Sequence, residues 1–182
     1  MSSPRVDDDR DRIVHVSKTW WEANVGLDIA ALRRCFPGGK DFLMFNLNSF
    51  AYFGVDEVER LWTYLKERFP FRTTQTVRVM QMKVSGDMAW LATETTCVKG
   101  GVNTASRSTE IYHRDDGEGH PEWRMWHFHS SALQFDFSKR PEFTMDVPRI
   151  AFGDTIADRG IGAIPGSAPI LEYVTKLADV QR

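Results

Sequence analysis

From Thr74 to Phe135 the chain reads as a succession of strand-like segments joined by short, glycine-bearing connections. The segments are Thr74 to Val84, Met88 to Val98, Thr104 to Arg114, and Trp123 to about Phe135. They are broken at Ser85-Gly86-Asp87, at Lys99-Gly100-Gly101, and at the turn from Asp115 to His120. Connections this short leave room only for hairpins, so the spacing predicts an antiparallel meander. A parallel sheet would need a helical crossover between each pair of strands.

The helices come first. Ile13, Val16, Trp20 and Trp21 recur at helical spacing after a charged lead-in from Asp7 to Arg12, and the pattern fades at Asn24-Val25-Gly26. Asp28 is a good N-cap for a short helix from Ile29 to Cys35, which Pro37-Gly38-Gly39 stops. Phe42 to Leu47 is a short strand candidate. Gly54 then precedes an amphipathic helix opened by Val55-Asp56-Glu57, with Val58, Leu61, Trp62, Leu65 and Phe69 on one face and Pro70 at its end. Helices first and strands after define an α+β chain, not a doubly wound α/β one. After Ser138 the pattern loosens into a Pro- and Gly-bearing tail, with a short helix expected at Ile170 to Ala178. The chain therefore divides into a domain over 1–137 and an extension over 138–182. The extension is expected to pack on the domain or on a neighbouring subunit.

Composition excludes several classes. With 182 residues, 42% hydrophobic and 12% aromatic, the chain suits one globular domain with a sizeable core. A net charge of −2 gives no general attraction to nucleic acid or to an anionic membrane. No run approaches the roughly 18 apolar residues of a membrane span. The polar N-terminus carries no signal-peptide core. Cys35 and Cys97 lie far apart without metal-ligand spacing, as expected of reduced cysteines in a cytoplasmic protein. Pro37-Gly38-Gly39-Lys40 lacks the spacing of a phosphate loop. No cofactor or metal site is expected.

The order helix, helix, short strand, helix, long meander resembles the nuclear transport factor 2-like fold, a cone-shaped α+β barrel with a curved antiparallel sheet wrapped around N-terminal helices. Trp20-Trp21-Glu-Ala-Asn followed by Gly26-Leu-Asp28 is similar to the first helix of SnoaL-like domains. Tyr52-Phe-Gly54 and the acidic helix after it are similar to their third. The close, His113-Arg-Asp-Asp-Gly117 with Trp123 and His127-Phe-His-Ser130, resembles SnoaL-like domains and the calcium/calmodulin-dependent kinase II association (hub) domain. The resemblance spans about Ile13 to Ser131. It implies the fold firmly and the function loosely, because this scaffold hosts isomerases, hydrolases, dehydratases, lyases, cyclases and binding modules.

Strand parity sorts the candidate site residues. One set is Trp90, Ala92, Glu94 and Thr96, then Ser108, Glu110 and Tyr112, then Trp126, Phe128 and Ser130. The other is Thr93, Thr95 and Cys97, then Arg107, Thr109 and Ile111, then Met125, His127 and His129. The first set, with larger aromatics and two carboxylates, is expected to line a cavity, and a bulge would reverse the assignment locally. Buried among Trp90, Tyr112 and Trp126, Glu94 or Glu110 would have a raised pKa and serve as general acid or base. Exposed, the two would be a solvated or salt-bridged pair. Arg107 is either their counter-ion or a clamp for a substrate oxygen. His127 and His129 fit packing, interface hydrogen bonds or acid–base work better than metal binding, since no third ligand is spaced to join them. Asn46, Asn48 and Tyr52 are candidate hydrogen-bonders to substrate at the mouth, with turn formation as the plainer role of the two asparagines. Trp20, Trp21 and Trp62 are either core aromatics or stacking surfaces for a ligand.

Two functional classes remain open. The first is a cofactor-independent enzyme acting on a bulky apolar, aromatic or polycyclic small molecule. Proton transfer would drive isomerisation, dehydration or lyase chemistry, and within the repertoire of the resembled fold the number of Trp and Phe residues favours aromatic compounds, including lignin-type diaryl substrates of deformylating lyases. The second is a ligand-binding or oligomerisation module like the hub domains. Arginines that the hub pattern places in the pocket correspond here to Ala92, Glu110 and Ser130. A homodimer or homotrimer is the expected assembly.

Overall fold

The computed structural model describes residues 4–47, 50–68, 73–99, 102–132 and 171–176. Helix α1 (Pro4–Gly26) starts earlier than the apolar periodicity, because the charged lead-in is itself helical. Pro4 suits the first turn, where an N–H would be unbonded anyway. Arg12–Asp8 and Lys18–Glu22 pair one turn apart along the exposed side. Leu27, at φ 48°, ends α1 in the left-handed conformation, and the Asp28 N–H bonds back to the Ala23 carbonyl. Asp28 then caps α2 (Ile29–Arg34), its carboxylate accepting from the Ala31 N–H at 3.0 Å.

Two short strands follow, β1 (Leu43–Phe45) and β2 (Ala51–Phe53), with β2 not foreseen from the sequence. Gly54 turns the chain into α3 (Val55–Arg68), which buries Val58 and Trp62. At φ 73°, with a would-be Cβ only 3.1 Å from the Gly39 carbonyl oxygen, position 54 admits little else. The meander appears as expected: β3 (Thr73–Ser85), β4 (Met88–Lys99), β5 (Val102–Arg114) and β6 (Trp123–Ala132).

The expected C-terminal helix is instead a strand, β7 (Leu171–Lys176), antiparallel to β3. The β-favouring Tyr173, Val174 and Thr175 suit a strand, and the edge of β3 offers a free ladder of backbone bonds. The sheet order is β2-β1-β6-β5-β4-β3-β7, a curved sheet left open at β2 and β7. All neighbours are antiparallel except β1 and β6, which run parallel. Helix α1 lies against the inner face. Its Asp9 accepts from Trp123 Nε1 at 3.0 Å and pairs with Arg114 at one end, and its Trp21 reaches Glu110 further along. Trp20 is the hub of the core, with Trp21, Phe36, Trp62 and Phe128 rings within 6.0 Å.

Candidate functional site

Cross-strand register decides which side chains share a face. Tyr52 pairs with Met44, Met44 with Phe128, Phe128 with Glu110, Glu110 with Leu91, and Leu91 with Met82. This row runs across the inner face, with Glu110 at its centre. The next row is Ser130, Ser108, Thr93 and Val79, and the one after it holds Ser106, Thr95 and Val77.

The register corrects the parity grouping. Glu94 pairs with Arg107, not with a member of the Glu110 set, so Trp90, Ala92 and Glu94 lie on the outer face. The hairpin between β4 and β5 sets this offset, which the even numbering of Glu94 and Glu110 conceals. A bulge between Ile111 and Tyr112 makes the second correction. It turns Met125 inward and leaves Trp126 outside, where its Nε1 donates to the Asp115 carbonyl at 2.8 Å and its ring meets His113 edge-on. Arg107, His127 and His129 stay on the outer side. Of the expected set, Glu110, Tyr112, Phe128 and Tyr52 share the inner face, and Trp20, Trp21 and Trp62 pack there from the helices. Asn46 is a turn-former: its Oδ1 accepts from the Leu47 N–H at 2.7 Å, and its own N–H donates to the Phe50 carbonyl. Asn48 lies outside the described residues.

Glu110 is 0% exposed. Its Oε1 accepts from Trp21 Nε1 at 2.9 Å and, at 3.5 Å, from Thr93 Oγ1. Its Oε2 accepts from the Tyr112 hydroxyl at 2.6 Å. Thr93 Oγ1 also lies 3.1 Å from Ser108 Oγ, whose hydroxyl donates to it when Thr93 donates to Glu110, extending the network along the second row. Burial raises the Glu110 pKa, because water no longer stabilises the anion. The Tyr112, Ser17, Trp21 and Thr93 donors pull it back down. The Ser17 hydroxyl is near enough to take part in this, yet among the described residues it makes no hydrogen bond of good geometry. Ser17 and Thr93 are site members that sequence reasoning missed. Ser17 sits one helical turn before Trp21, a spacing that would have found it once Trp21 was placed on the carboxyl.

The outer face carries a different arrangement. Glu94 is only 4% exposed, with Arg107 Nε at 3.5 Å and Arg78 beside it across the strand pair. Burial raises its pKa, opposed by Arg107 and then Arg78. Among the described residues Glu94 Oε2 has no hydrogen bond, so the ion pair is long rather than bonded. Burial lowers the His127 pKa, with the Leu43 backbone opposing and His129 adding to the shift. Phe45 meets both histidines edge-on, at 5.4 and 5.6 Å.

Other chemistry-bearing groups are accounted for locally. The Cys35 thiol is pushed up to about 12 by burial, which leaves it a packing residue rather than a nucleophile. Asp116, Glu118 and His120 converge in the turn after β5, with ligand atoms within 4.8 Å of one another. Asp116 already accepts from the Glu118 and His120 backbone and from the His120 ring, which explains the cluster as turn structure. A groove of about 590 Å³ lies on the outside of α2 and α3, where Arg33 pairs with Asp56 and Glu59. It is open to solvent and remote from Glu110, so the buried network defines the candidate site better. No helix among the described residues is long and apolar enough to cross a membrane.

The helices-under-a-curved-sheet architecture is that of the nuclear transport factor 2-like and cystatin-like folds. The SnoaL-like domain family matches residues 13–134, and the chain belongs to that family. Among solved structures it is similar to a candidate dehydratase of the nuclear transport factor 2-like family from Streptomyces avermitilis. The identity is 17%, over 70% of this chain and 98% of that one, with a TM-score of 0.60. A nuclear transport factor 2-like protein of unknown function from Pseudomonas putida KT2440 shares 18% identity, over 75% and 92% of the two chains, with a TM-score of 0.59. A candidate calcium/calmodulin-dependent protein kinase type II association domain from Thiobacillus denitrificans shares 17%, over 65% and 93%, with a TM-score of 0.55. At these identities the likeness establishes the fold alone. No curated protein matches the chain.

Proposed function

We propose that this protein is a cofactor-independent acid–base enzyme acting on a neutral small molecule, with Glu110 carrying the proton. The observation that supports the reading most is a fully buried carboxyl on the inner face, held at both oxygens by neutral donors. A carboxyl raised by burial exchanges its proton nearer neutrality than a solvated one, which is the property a general acid or base requires. Tyr112, 2.6 Å from Oε2, is positioned to stabilise the charged form or to relay a proton. Isomerisation, dehydration and C–C lyase chemistry all need such a transfer. Tyr52, at the end of the same inner row, is a further candidate to touch substrate.

The rings that suggested an aromatic substrate, Trp20, Trp21, Trp62 and Phe128, interlock with one another. Aromatic compounds, lignin-type diaryl ones among them, are therefore one subclass of the proposed substrates and not its definition. We place the activity in the cytoplasm, which suits two cysteines in the reduced thiol form. We divide the chain at 137/138, and the pairing of β7 with β3 supports an extension that docks on the domain.

The test is deuterium wash-in. A panel of neutral ketones and alcohols is incubated with the protein in D₂O and followed by proton NMR. The expected result is incorporation by the wild type and a drop of about 100-fold or more in Glu110→Gln, with the fold checked by circular dichroism. Equal incorporation by the two proteins would remove Glu110 from the chemistry.

A second reading, an assembly module, has its own observation. Phe45 (42% exposed) and Phe53 (61% exposed) sit at the β1–β2 edge beside His127 and His129. A homodimer through this outer face would cover them. Sedimentation equilibrium would then give a dimer for the wild type and a monomer for Phe45→Glu.

A further inference from the structure

The exposed apolar side chains are unevenly placed. Among the described residues, four of the six large exposed hydrophobics, Phe45, Leu47, Phe50 and Phe53, fall within the one hairpin of β1 and β2. A patch of that kind marks a contact surface. Strand register carries the strip on across the outer face. Phe53 lies beside Leu43, Leu43 beside His127 and His127 beside Ile111, while Phe45 lies beside His129. The free edge of β2 is not what the patch offers. Its Phe53 N–H already donates to the Glu57 carboxylate at 2.7 Å, so side chains rather than strand pairing make the contact. Charge identifies the occupant. Among the described residues the strip holds no fixed charge, and its ionisable groups are the two histidines. An anionic or cationic partner finds no counter-charge there, whereas a second copy of the same strip is an uncharged match. A two-fold contact brings identical patches together, and with them the histidines of both copies.

The surroundings of the histidines do not stabilise an imidazolium. Strand β1 faces them with Leu43 and with Phe45, whose ring meets both imidazoles edge-on at 5.4 and 5.6 Å. Strand β5 faces them with Thr109 and Ile111. Further along the same face, β5 and β6 carry Arg107, His113 and Arg124, none of them an acid. The carboxylates that border the face are engaged elsewhere: Glu94 by Arg107, Glu122 by Arg124 and Glu57 by the Phe53 N–H. Asp41, two residues before Leu43, is exposed to solvent. Burial already disfavours the charged form of His127, with the Leu43 backbone opposing and His129 adding repulsion. A second copy laid over the strip increases both the burial and the number of like charges.

We propose that two copies of this chain associate through this strip only while His127 and His129 are uncharged, so that mild acid separates them. The inference rests on the assembly reading above and supplies the regulation of that contact. Its sign follows from linkage. The contact excludes protons, so association is strongest above the histidine range and is lost as pH falls through it.

Sedimentation equilibrium of the full chain at about pH 8 and about pH 5.5 tests this, with Phe45→Glu as the monomer reference. Excluding one proton per copy raises the dissociation constant about 100-fold at the lower pH, roughly one unit below the ordinary histidine value. The His127→Gln/His129→Gln variant should change by less than about threefold over the same range. A wild-type dimer that survives the acid while Phe45→Glu is monomeric overturns the switch and leaves the assembly reading standing. A monomer at both pH values, or a dimer that Phe45→Glu does not disturb, overturns both. An acid response kept by the double variant belongs to other groups and overturns the switch. So does a dissociation that only follows loss of the circular dichroism signal. Where the double variant does not associate at the higher pH, ring-proton NMR of the wild type decides. The His127 and His129 midpoints should lie lower in concentrated than in dilute samples, and midpoints independent of concentration overturn the proposal.

Discussion

A carboxyl with no solvent exposure is stable only in company, and Glu110 has three hydrogen-bond donors placed on its two oxygens. The donors favour the anion and burial disfavours it, with burial the larger effect. The folded state therefore holds this proton more tightly than the unfolded chain does. It follows that the stabilisation linked to the proton is complete below the ordinary glutamate pKa of 4.5 and is lost as pH rises through the raised value. Glu94, also raised by burial, adds to the same slope. Melting temperature should thus fall as pH climbs above about 4.5, and Glu110→Gln should flatten part of that fall. An unchanged slope in the variant would mean that Glu110 titrates as an ordinary glutamate. Glu110 stood out in the sequence because a carboxylate alternated there with Tyr112. Its partners Ser17 and Thr93 did not, because a lone hydroxyl in a helix or a threonine-rich strand carries no signal until the facing element is known.

Among the elements, the helices and the meander were legible from periodicity and glycine-bearing turns. Asp28 caps α2 as its residue type predicts. Which faces meet was less legible, since a side-chain period of two turns any one-residue offset into the opposite face. The offset at Glu94–Arg107 and the bulge at Ile111/Tyr112 are both of this kind, and together they moved Trp90, Glu94 and Trp126 to the outer side. Strand β7 was read as a helix because its pairing partner lies almost a hundred residues earlier. The joint between α1 and the sheet is Asp9, which is 3% exposed and bonded to Trp123 and Arg114, with Arg114 also stacked on the Trp123 ring at 4.9 Å. Removing one partner leaves the other charge buried, so Asp9→Ala should cost about 3 kcal/mol in urea unfolding. The Asp9→Ala/Arg114→Ala double variant should cost less than the sum of the two singles. Simple additivity would show that the pair does not couple α1 to the sheet. Gly54→Ala should also destabilise, because it adds a Cβ at φ 73° and 3.1 Å from backbone.

At the scale of the whole molecule, the sheet separates two kinds of chemistry. Inside are a protected carboxyl and a field of hydroxyls. Outside are an aromatic edge around Phe45 and a charge row in which Glu94 lies between Arg107 and Arg78. Membership of the SnoaL-like family accounts for the frame, and the inner face carries the case for acid–base work. That case depends on the protonation of one side chain in the intact protein. It is read directly by NMR titration of a sample carrying carbon-13 at the glutamate side-chain carboxyls, with the Glu110 resonance assigned by its loss in Glu110→Gln. The account predicts a Glu110 midpoint clearly above that of the exposed glutamates. A midpoint at or below theirs would contradict it.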